Sequence, residues 1–195
     1  MGGRDSSLFF APTRFSELLI RWNGLDSAGF AAWEFLPGMR FGERAAWWRD
    51  GGERGDPHEG LDLCWFRTRD GRRSSLAAGA SVPTIWAGEV VAAVDDFLGI
   101  SVFVAHERHD ARGWRLHSIY GHIRLRTGLA PGSALNDEDT VGTIAAVAGR
   151  KSAPPPHLHL TLALIDPEGG PARLDWNAIG DKSRVCLLDP MIIMK

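Results

Sequence analysis

The residues of this chain best suited to chemistry lie in three short motifs. The first is His58-Glu59-Gly60-Leu61-Asp62, the second Tyr120-Gly121-His122, and the third His157-Leu158-His159. Imidazole and carboxylate both bind a borderline cation such as zinc. A hydrolytic zinc site needs three protein ligands, an open position for water, and neighbouring groups that move protons. The three motifs supply three such ligands with two imidazoles to spare.

Spacing limits how they can meet. His157 and His159 flank Leu158 at the head of the apolar run 158–165. Residues two apart on a strand share a face and sit ~6.6 Å apart, so both imidazoles can face one cavity. One can then bind a metal while the other stands beside the open position; two structural histidines on a strand are the other reading. His58 and Asp62 would be ~13 Å apart on an extended strand, too far to hold one ion, so a turn must lie between them. Gly60 permits that turn and Pro57 stiffens its approach. His58 is therefore expected in a loop and Asp62 at the head of the following strand. His58-Glu59 shares its opening with the helical His-Glu-x-x-His motif, but Asp62 stands where the second histidine would be. Pro57 and Gly60 also oppose a helix, so Glu59 reads as a solvated loop carboxylate and not as a general base. His122 closes the strand-like run 114–122. His106, His109 and His117 read as structural, the first two at a hairpin tip with Glu107, Arg108 and Asp110.

The elements that must position these motifs fall into two regions. Residues 1–40 read as a helical N-terminal arm. Phe15, Leu18, Leu19 and Trp22 follow helical spacing, with Thr13 or Ser16 as caps, and 28–35 reads as a second short helix before Pro37-Gly38. Residues 41–195 form the second region. From about residue 60, apolar runs of strand length alternate with Gly, Pro and Asp: 61–66, 82–86, 89–94, 100–105, 114–122, 141–147 and 158–165. The fold class is mainly β, α+β at most, built as an antiparallel sheet. Residues 149–156 form a basic, then proline-rich loop, whose Pro154-Pro155-Pro156 stiffens the chain ahead of His157.

Composition excludes several classes. With 195 residues, 44% of them hydrophobic and 24% charged, the chain reads as one ordinary globular domain, with or without an arm. A net charge of -2 and the lack of a long Lys/Arg run exclude nucleic acid as a partner. No apolar stretch approaches the ~20 residues of a membrane span. The run 6–14 is too short for a signal peptide and is broken by Pro12. The expected location is the cell envelope or the exterior if an export segment has been removed, and otherwise the cytoplasm. Cys64 and Cys186 form no Cys-x-x-Cys pair, which argues against a zinc–thiolate site and leaves their pairing open. Eight tryptophans suit core and arm packing, or an aromatic wall beside a groove. Oligomeric state has no signal in the sequence.

The order His-x-x-x-Asp, Tyr-x-His, His-x-His resembles the lysostaphin/LytM-type zinc metalloendopeptidases, from about Phe41 to the C-terminus. Gly88-Glu89-Val90-Val91 is similar to that family's early Gly-x-Val strand, and Leu188-Asp189-Pro190 to its closing Asp-Pro. The resemblance implies an antiparallel β fold, a barrel-sandwich hybrid with a narrow groove over the metal. It implies one zinc ion per chain held by His58, Asp62 and His159, with His122 and His157 as the catalytic pair flanking the bound water. The implied reaction is hydrolysis of peptide bonds, in peptidoglycan stem peptides or cross-bridges. Three departures stand out. Ala148-Gly149-Arg150-Lys151-Ser152-Ala153 and three prolines replace a glycine-rich loop, Leu160-Thr161 stands where Phe-Glu is common, and 172–185 lengthens the route to the Asp-Pro. All touch the groove or its supports and bear on substrate more than on chemistry. The alternative is a catalytically silent, zinc-stabilised binding or regulatory module of the same fold. A cupin would need a carboxylate ligand a few residues after His-x-His, and Asp166 and Glu168 lie too far on. An amidohydrolase barrel would carry that motif early in a much longer chain.

Overall fold

Strand β11, Leu158–Ile165, is buried along its whole length. Leu158, Leu160, Leu162 and Leu164 enter the main core, while Ala163 and Ile165 enter a second cluster on the opposite face. A strand covered on both faces reads as one continuous apolar run. The odd face is also the face of His159 and Thr161, so the strand's period of two separates site from core. The computed structural model describes residues 12–48, 52–147, 153–168 and 174–194. The start of the 6–14 run, residues 148–152 of the loop, and the beginning of the 172–185 extension lie outside the described residues.

In chain order the elements are α1 (Phe15–Trp22), β1 (Phe30–Glu34), β2 (Leu61–Leu63), β3 (Trp65–Thr68), β4 (Arg73–Ser75), β5 (Ser81–Pro83), β6 (Gly88–Asp95), β7 (Ile100–His109), β8 (Arg115–Leu125), β9 (Ala134–Leu135), β10 (Thr140–Ile144), β11, α2 (Trp176–Ile179) and β12 (Val185–Leu188). A 3-10 turn, Pro190–Ile193, follows; Asp189 caps it by accepting the Met191 N–H at 2.9 Å. The larger sheet runs β12-β11-β8-β7-β6-β9, with β2 on β11, β10 on β8 and β5 on β10; β1-β3-β4 form a small second sheet. Every pairing is antiparallel. The fold is therefore mainly β, and all seven expected runs contain strand. The 61–66 run is cut at Cys64, where the chain leaves β2 on the large sheet for β3 on the small one. No helix among the described residues is long and apolar enough to cross a membrane.

Helix α1 forms where its spacing predicts, with Phe15 and Leu19 in the main core. Neither expected cap takes the N-cap place: Arg14 stands there without a side-chain cap bond, Ser16 lies inside the helix, and Thr13 sits one residue further out, its hydroxyl accepting the Phe15 N–H at 3.1 Å and donating to Ile85 O at 2.6 Å. The second helix expected over 28–35 is strand β1 instead. Phe30 and Trp33 stack on Phe66 across the β1–β3 pair, with ring centroids 5.5 and 6.4 Å away. Glu34 receives Arg67 at 2.8 Å and Arg73 at 2.6 Å. These cross-strand pairs outweigh a weak local helix preference.

His106 is a second correction. It sits within β7, fully buried, and not at the hairpin tip; the turn is formed beyond it by Asp110 and its neighbours. Its Nδ1 faces Ala87 O at 2.9 Å and its Nε2 faces the Ser118 hydroxyl at 2.8 Å. His117 is also buried, with Nδ1 3.0 Å from Arg115 O. Burial pushes both imidazoles down to about 4. Both are thus neutral in the folded chain, while the unfolded chain protonates near ~6.5. The stability they contribute is full above that value and is lost as pH falls toward 4, on the order of 3 kcal/mol for each histidine. Melting followed by calorimetry is expected to weaken steadily between pH 6.5 and 4.5. A melting temperature that stays flat across that window would contradict two neutral buried imidazoles.

Candidate metal centre

Strand pairing brings the first and third motifs together. In the β2–β11 register Asp62 lies opposite His159, and Leu61 and Leu63 lie opposite Leu160 and Leu158. The leucines fill the core, and the two polar side chains share the other face. His58 arrives from the loop before β2. Gly60 makes its return possible by closeness and not by an unusual φ. A Cβ there would lie 2.4 Å from Leu160 O and 2.6 Å from the Thr161 hydroxyl.

Three donor atoms converge. His159 Nδ1 is 2.8 Å from Asp62 Oδ1, His58 Nε2 is 3.2 Å from the same oxygen, and the two nitrogens are 3.1 Å apart. Ligands ~2.0–2.1 Å from a tetrahedral zinc would be about 3.3 Å from one another, so the cluster is close to the size of that coordination shell. The outward atoms are all engaged. His58 Nδ1 donates its N–H to Arg40 O at 3.2 Å, since a carbonyl only accepts, and this turns Nε2 toward the cluster. His159 Nε2 meets the Thr161 hydroxyl at 3.0 Å. Asp62 Oδ2 accepts from Trp47 Nε1 at 2.6 Å and from Arg54 Nη2 at 3.1 Å, which turns Oδ1 inward. Without a cation, protons bridge this cluster. Burial works against charge on His159, yet its hydrogen bond to Asp62 raises it above the usual range. Burial likewise opposes ionisation of Asp62, yet hydrogen bonds from His159 and His58 hold it well below the usual carboxylate range. Two nitrogens and one anionic oxygen, buried and oriented by outer partners, are a donor set that fits zinc.

His157 lies just before β11 and faces the same cluster. Its Nδ1–H donates to Pro155 O at 2.8 Å, and its Nε2 is 3.7 Å from Asp62 Oδ1. Burial pushes it down to about 4, against the opposing pull of Asp62. His157 is therefore neutral, with a bare Nε2 turned toward the cluster.

His122 reaches the site by a break in strand parity. Leu116 and Tyr120 of β8 point into the main core, so strict alternation would send residue 122 there too. Instead His122 has φ +62°, β8 carries an extra residue against β7 between the Ile100–Ile123 and Val102–Tyr120 pairs, and Ile123 takes the core side. His122 then faces His157 and His159, with ring centroids 4.8 and 5.8 Å away. Gly121 leaves room at this crossing, since a Cβ would stand 3.2 Å from the His159 Cβ. The His122 backbone N–H donates to Asp96 Oδ2 at 2.9 Å, and its Nδ1 lies 3.1 Å from Asp96 Oδ1, at ion-pair distance but out of line for a hydrogen bond.

A cleft of about 300 Å³ opens over these groups, walled by Trp48, Arg54, Phe97, Pro154 and Trp176. The tryptophans divide between the two readings their number allows. Trp48 and Trp176 line the cleft, Trp47 holds Asp62, and Trp33 packs on the main core. Glu59 is half-buried at the cleft edge. Cys64 and Cys186 are both free thiols; burial and the nearby Asp62 charge push Cys64 up to about 12. Asp96, Trp47, Arg54, Thr161 and Trp176 were not singled out by motif. Only Asp96 has a local signal, the Asp96-Phe97-Leu98-Gly99 turn between two runs.

No family model matches the chain, and no curated protein does. Among solved structures it is similar to lysostaphin, at 16% identity over 84% of this chain and 48% of that one, with a TM-score of 0.45. The chain thus spans about half the length of lysostaphin. It is similar to the catalytic domain of the prophage-encoded M23 protein EnpA from Enterococcus faecalis, at 23% identity over 72% of this chain and 91% of that one, TM-score 0.40. It is also similar to LytU, at 19% identity over 66% and 76% of the two chains, TM-score 0.41.

The outer partners set a test of the cluster that needs no substrate. Trp47→Phe removes one donor from Asp62 Oδ2 and frees the carboxylate to turn, and zinc affinity is expected to fall about 10–100-fold. Gly60→Ala sets a methyl group against Leu160 O and is expected to abolish tight binding. Competition with a chromophoric chelator reads both. Wild-type affinity in the two variants would mean that zinc does not sit among these residues.

Proposed function

We propose that the chain is a zinc-dependent metallopeptidase that hydrolyses peptide bonds, with peptidoglycan stem peptides or cross-bridges as its substrate class. One observation carries the reading. Three inward-facing donor atoms lie beside two imidazoles, His157 and His122, whose Nε2 atoms make no hydrogen bond among the described residues. The order of the three motifs supports the substrate class.

His58, Asp62 and His159 would hold the ion. Zinc, when bound, lowers the pKa of its water toward ~7 and polarises a carbonyl oxygen. The other tasks fall to the chain. His157 is neutral, its Nδ1–H is fixed on Pro155 O, and its bare Nε2 is placed to take a proton from a water in the cleft. His122 has its Nδ1 turned to Asp96, which leaves Nε2, when it carries a proton, to donate to the developing oxyanion or the leaving amine. Trp48, Phe97 and Trp176 narrow the cleft and exclude bulk water from the reacting peptide. Arg54, in the cleft wall, is already committed to Asp62 and to Gly38 O at 3.2 Å, so it supports the Asp62 carboxylate.

The test is digestion of peptidoglycans of differing bond chemistry by zinc-loaded protein, with products identified by mass. Cleavage at peptide bonds is expected. His157→Ala and His122→Ala should each lower the rate about 10²–10⁴-fold while zinc content stays at one per chain. Chelation should stop cleavage and added zinc should restore it. Full zinc occupancy with no cleavage of any muropeptide or glycyl peptide would instead favour a zinc-stabilised binding module. Failure to bind zinc at all would sink both readings.

A further inference from the structure

Asp96 is held by more donors than a surface turn requires. It follows β6 directly, and its side chain is only 3% exposed. Oδ1 accepts from Leu98 N at 2.8 Å and Gly99 N at 2.7 Å, which closes the turn into β7. Oδ2 accepts from the Ser101 hydroxyl at 2.7 Å and from His122 N at 2.9 Å. The Ser101 hydroxyl in turn accepts the Trp176 Nε1–H at 3.0 Å. Trp176 opens α2, and its ring stands 5.3 Å from that of His159. One chain of hydrogen bonds thus runs from α2 through Ser101 and Asp96 to His122.

We propose that Asp96 is the positioning residue of His122, fixing both its backbone and its ring, and that Ser101 and Trp176 brace it from the α2 side. The backbone needs an anchor. A non-glycine residue at φ +62° is strained, and this twist turns His122 from the core to the cleft. The Asp96 Oδ2 bond to the His122 N–H holds that twist. The ring needs an orienting partner as well. Nδ1 lies beside a carboxylate, which can only accept, so the Nδ1 proton is the stable one and Nε2 is the nitrogen offered to the cleft. Asparagine cannot replace this carboxylate. Both oxygens already accept two donors, so an NH2 group in either place would leave at least one backbone N–H without its acceptor. Ser101 lies on β7 and Trp176 on a distant part of the chain, so the brace couples the 172–185 extension to the imidazole across the cleft.

The ring part of the inference is independent of the proposed peptidase function; the effect on turnover rests on it. The test uses the zinc-loaded full chain labelled with nitrogen-15. In wild type, long-range proton–nitrogen spectra are expected to show His122 with its proton on Nδ1. Asp96→Asn is expected to lose that signature while keeping one zinc per chain, and to lower kcat about 10–100-fold with little change in KM. Trp176→Phe, which keeps the ring but removes the N–H, is expected to shift the His122 signals in the same direction by less. A wild-type His122 without a proton on Nδ1 would overturn the proposal even if Asp96→Asn did not fold. An Asp96→Asn protein with unchanged His122 signals would overturn it equally. If wild type cleaves no peptide, the peptidase reading fails, and the spectra still decide the role of Asp96.

Discussion

The pairing of β2 with β11 is the constraint on which the site depends. Only three residue pairs define it, and the middle one sets Asp62 against His159. Leucines on either side, Leu61 and Leu63 against Leu160 and Leu158, are fully buried and admit one register. A slip of one residue would drive the Asp62 carboxylate into the leucine core and turn two leucines toward the cleft. Hydrophobic burial therefore does the aligning, and the polar atoms inherit their positions from it. His58 joins the cluster because Gly60 lets the loop pass against β11 with no side chain between them.

A carboxylate and three imidazoles with almost no exposure are expensive to bury unless their outward atoms are satisfied. Each partner here comes from a different stretch of chain. Arg40 O serves His58, Trp47 and Arg54 serve Asp62, Thr161 serves His159, and Pro155 O serves His157. Main-chain carbonyls accept from His58 and His157, Trp47 and Arg54 donate to Asp62, and the Thr161 hydroxyl meets His159, so the rings and the carboxylate have little freedom to turn. The atoms they turn inward are one nitrogen each of His58 and His159 and the anionic Asp62 Oδ1. The departure at 160–161 belongs to this outer layer, because Thr161 supplies the hydroxyl that meets the second nitrogen of His159.

Much of this was legible in the sequence, and the reasons differ by element. The strands of the large sheet stand out because Val, Ile and Leu runs are broken by Gly, Pro and Asp. The common face of His157 and His159 follows from the strand period alone. The turn between His58 and Asp62 follows from reach, and its Gly60 from the need for a small residue. The grouping of Asp62 with His159 does not follow from spacing, because their strands are far apart in the chain; only the motif order pointed to it. Strand β1 was misread because its stability lies in Phe66, Arg67 and Arg73, distant partners that no local window contains. His122 was expected merely at a strand end, whereas its place depends on a left-handed residue that reverses strand parity, and a histidine gives no sign of one. The place of His106 is masked in the sequence because a run of charged neighbours resembles a turn, although β7 continues through it.

The two free imidazoles are held by unlike partners, and that difference bears on how they can divide the work. His157 rests on a neutral main-chain carbonyl in a proline-stiffened segment, deep in the protein, where burial outweighs the pull of the Asp62 charge and keeps the ring neutral. A neutral ring with a bare Nε2 suits the acceptance of a proton. His122 rests on a carboxylate, with its Nδ1 3.1 Å from Asp96 Oδ1. The arrangement also explains why one histidine can sit on a regular strand approach while the other needs a strained turn. His157 needs only the strand face that His159 already shares. His122 must come from β8, whose regular pleat points it into the core, so bulge, left-handed φ and Asp96 are required together to bring it across.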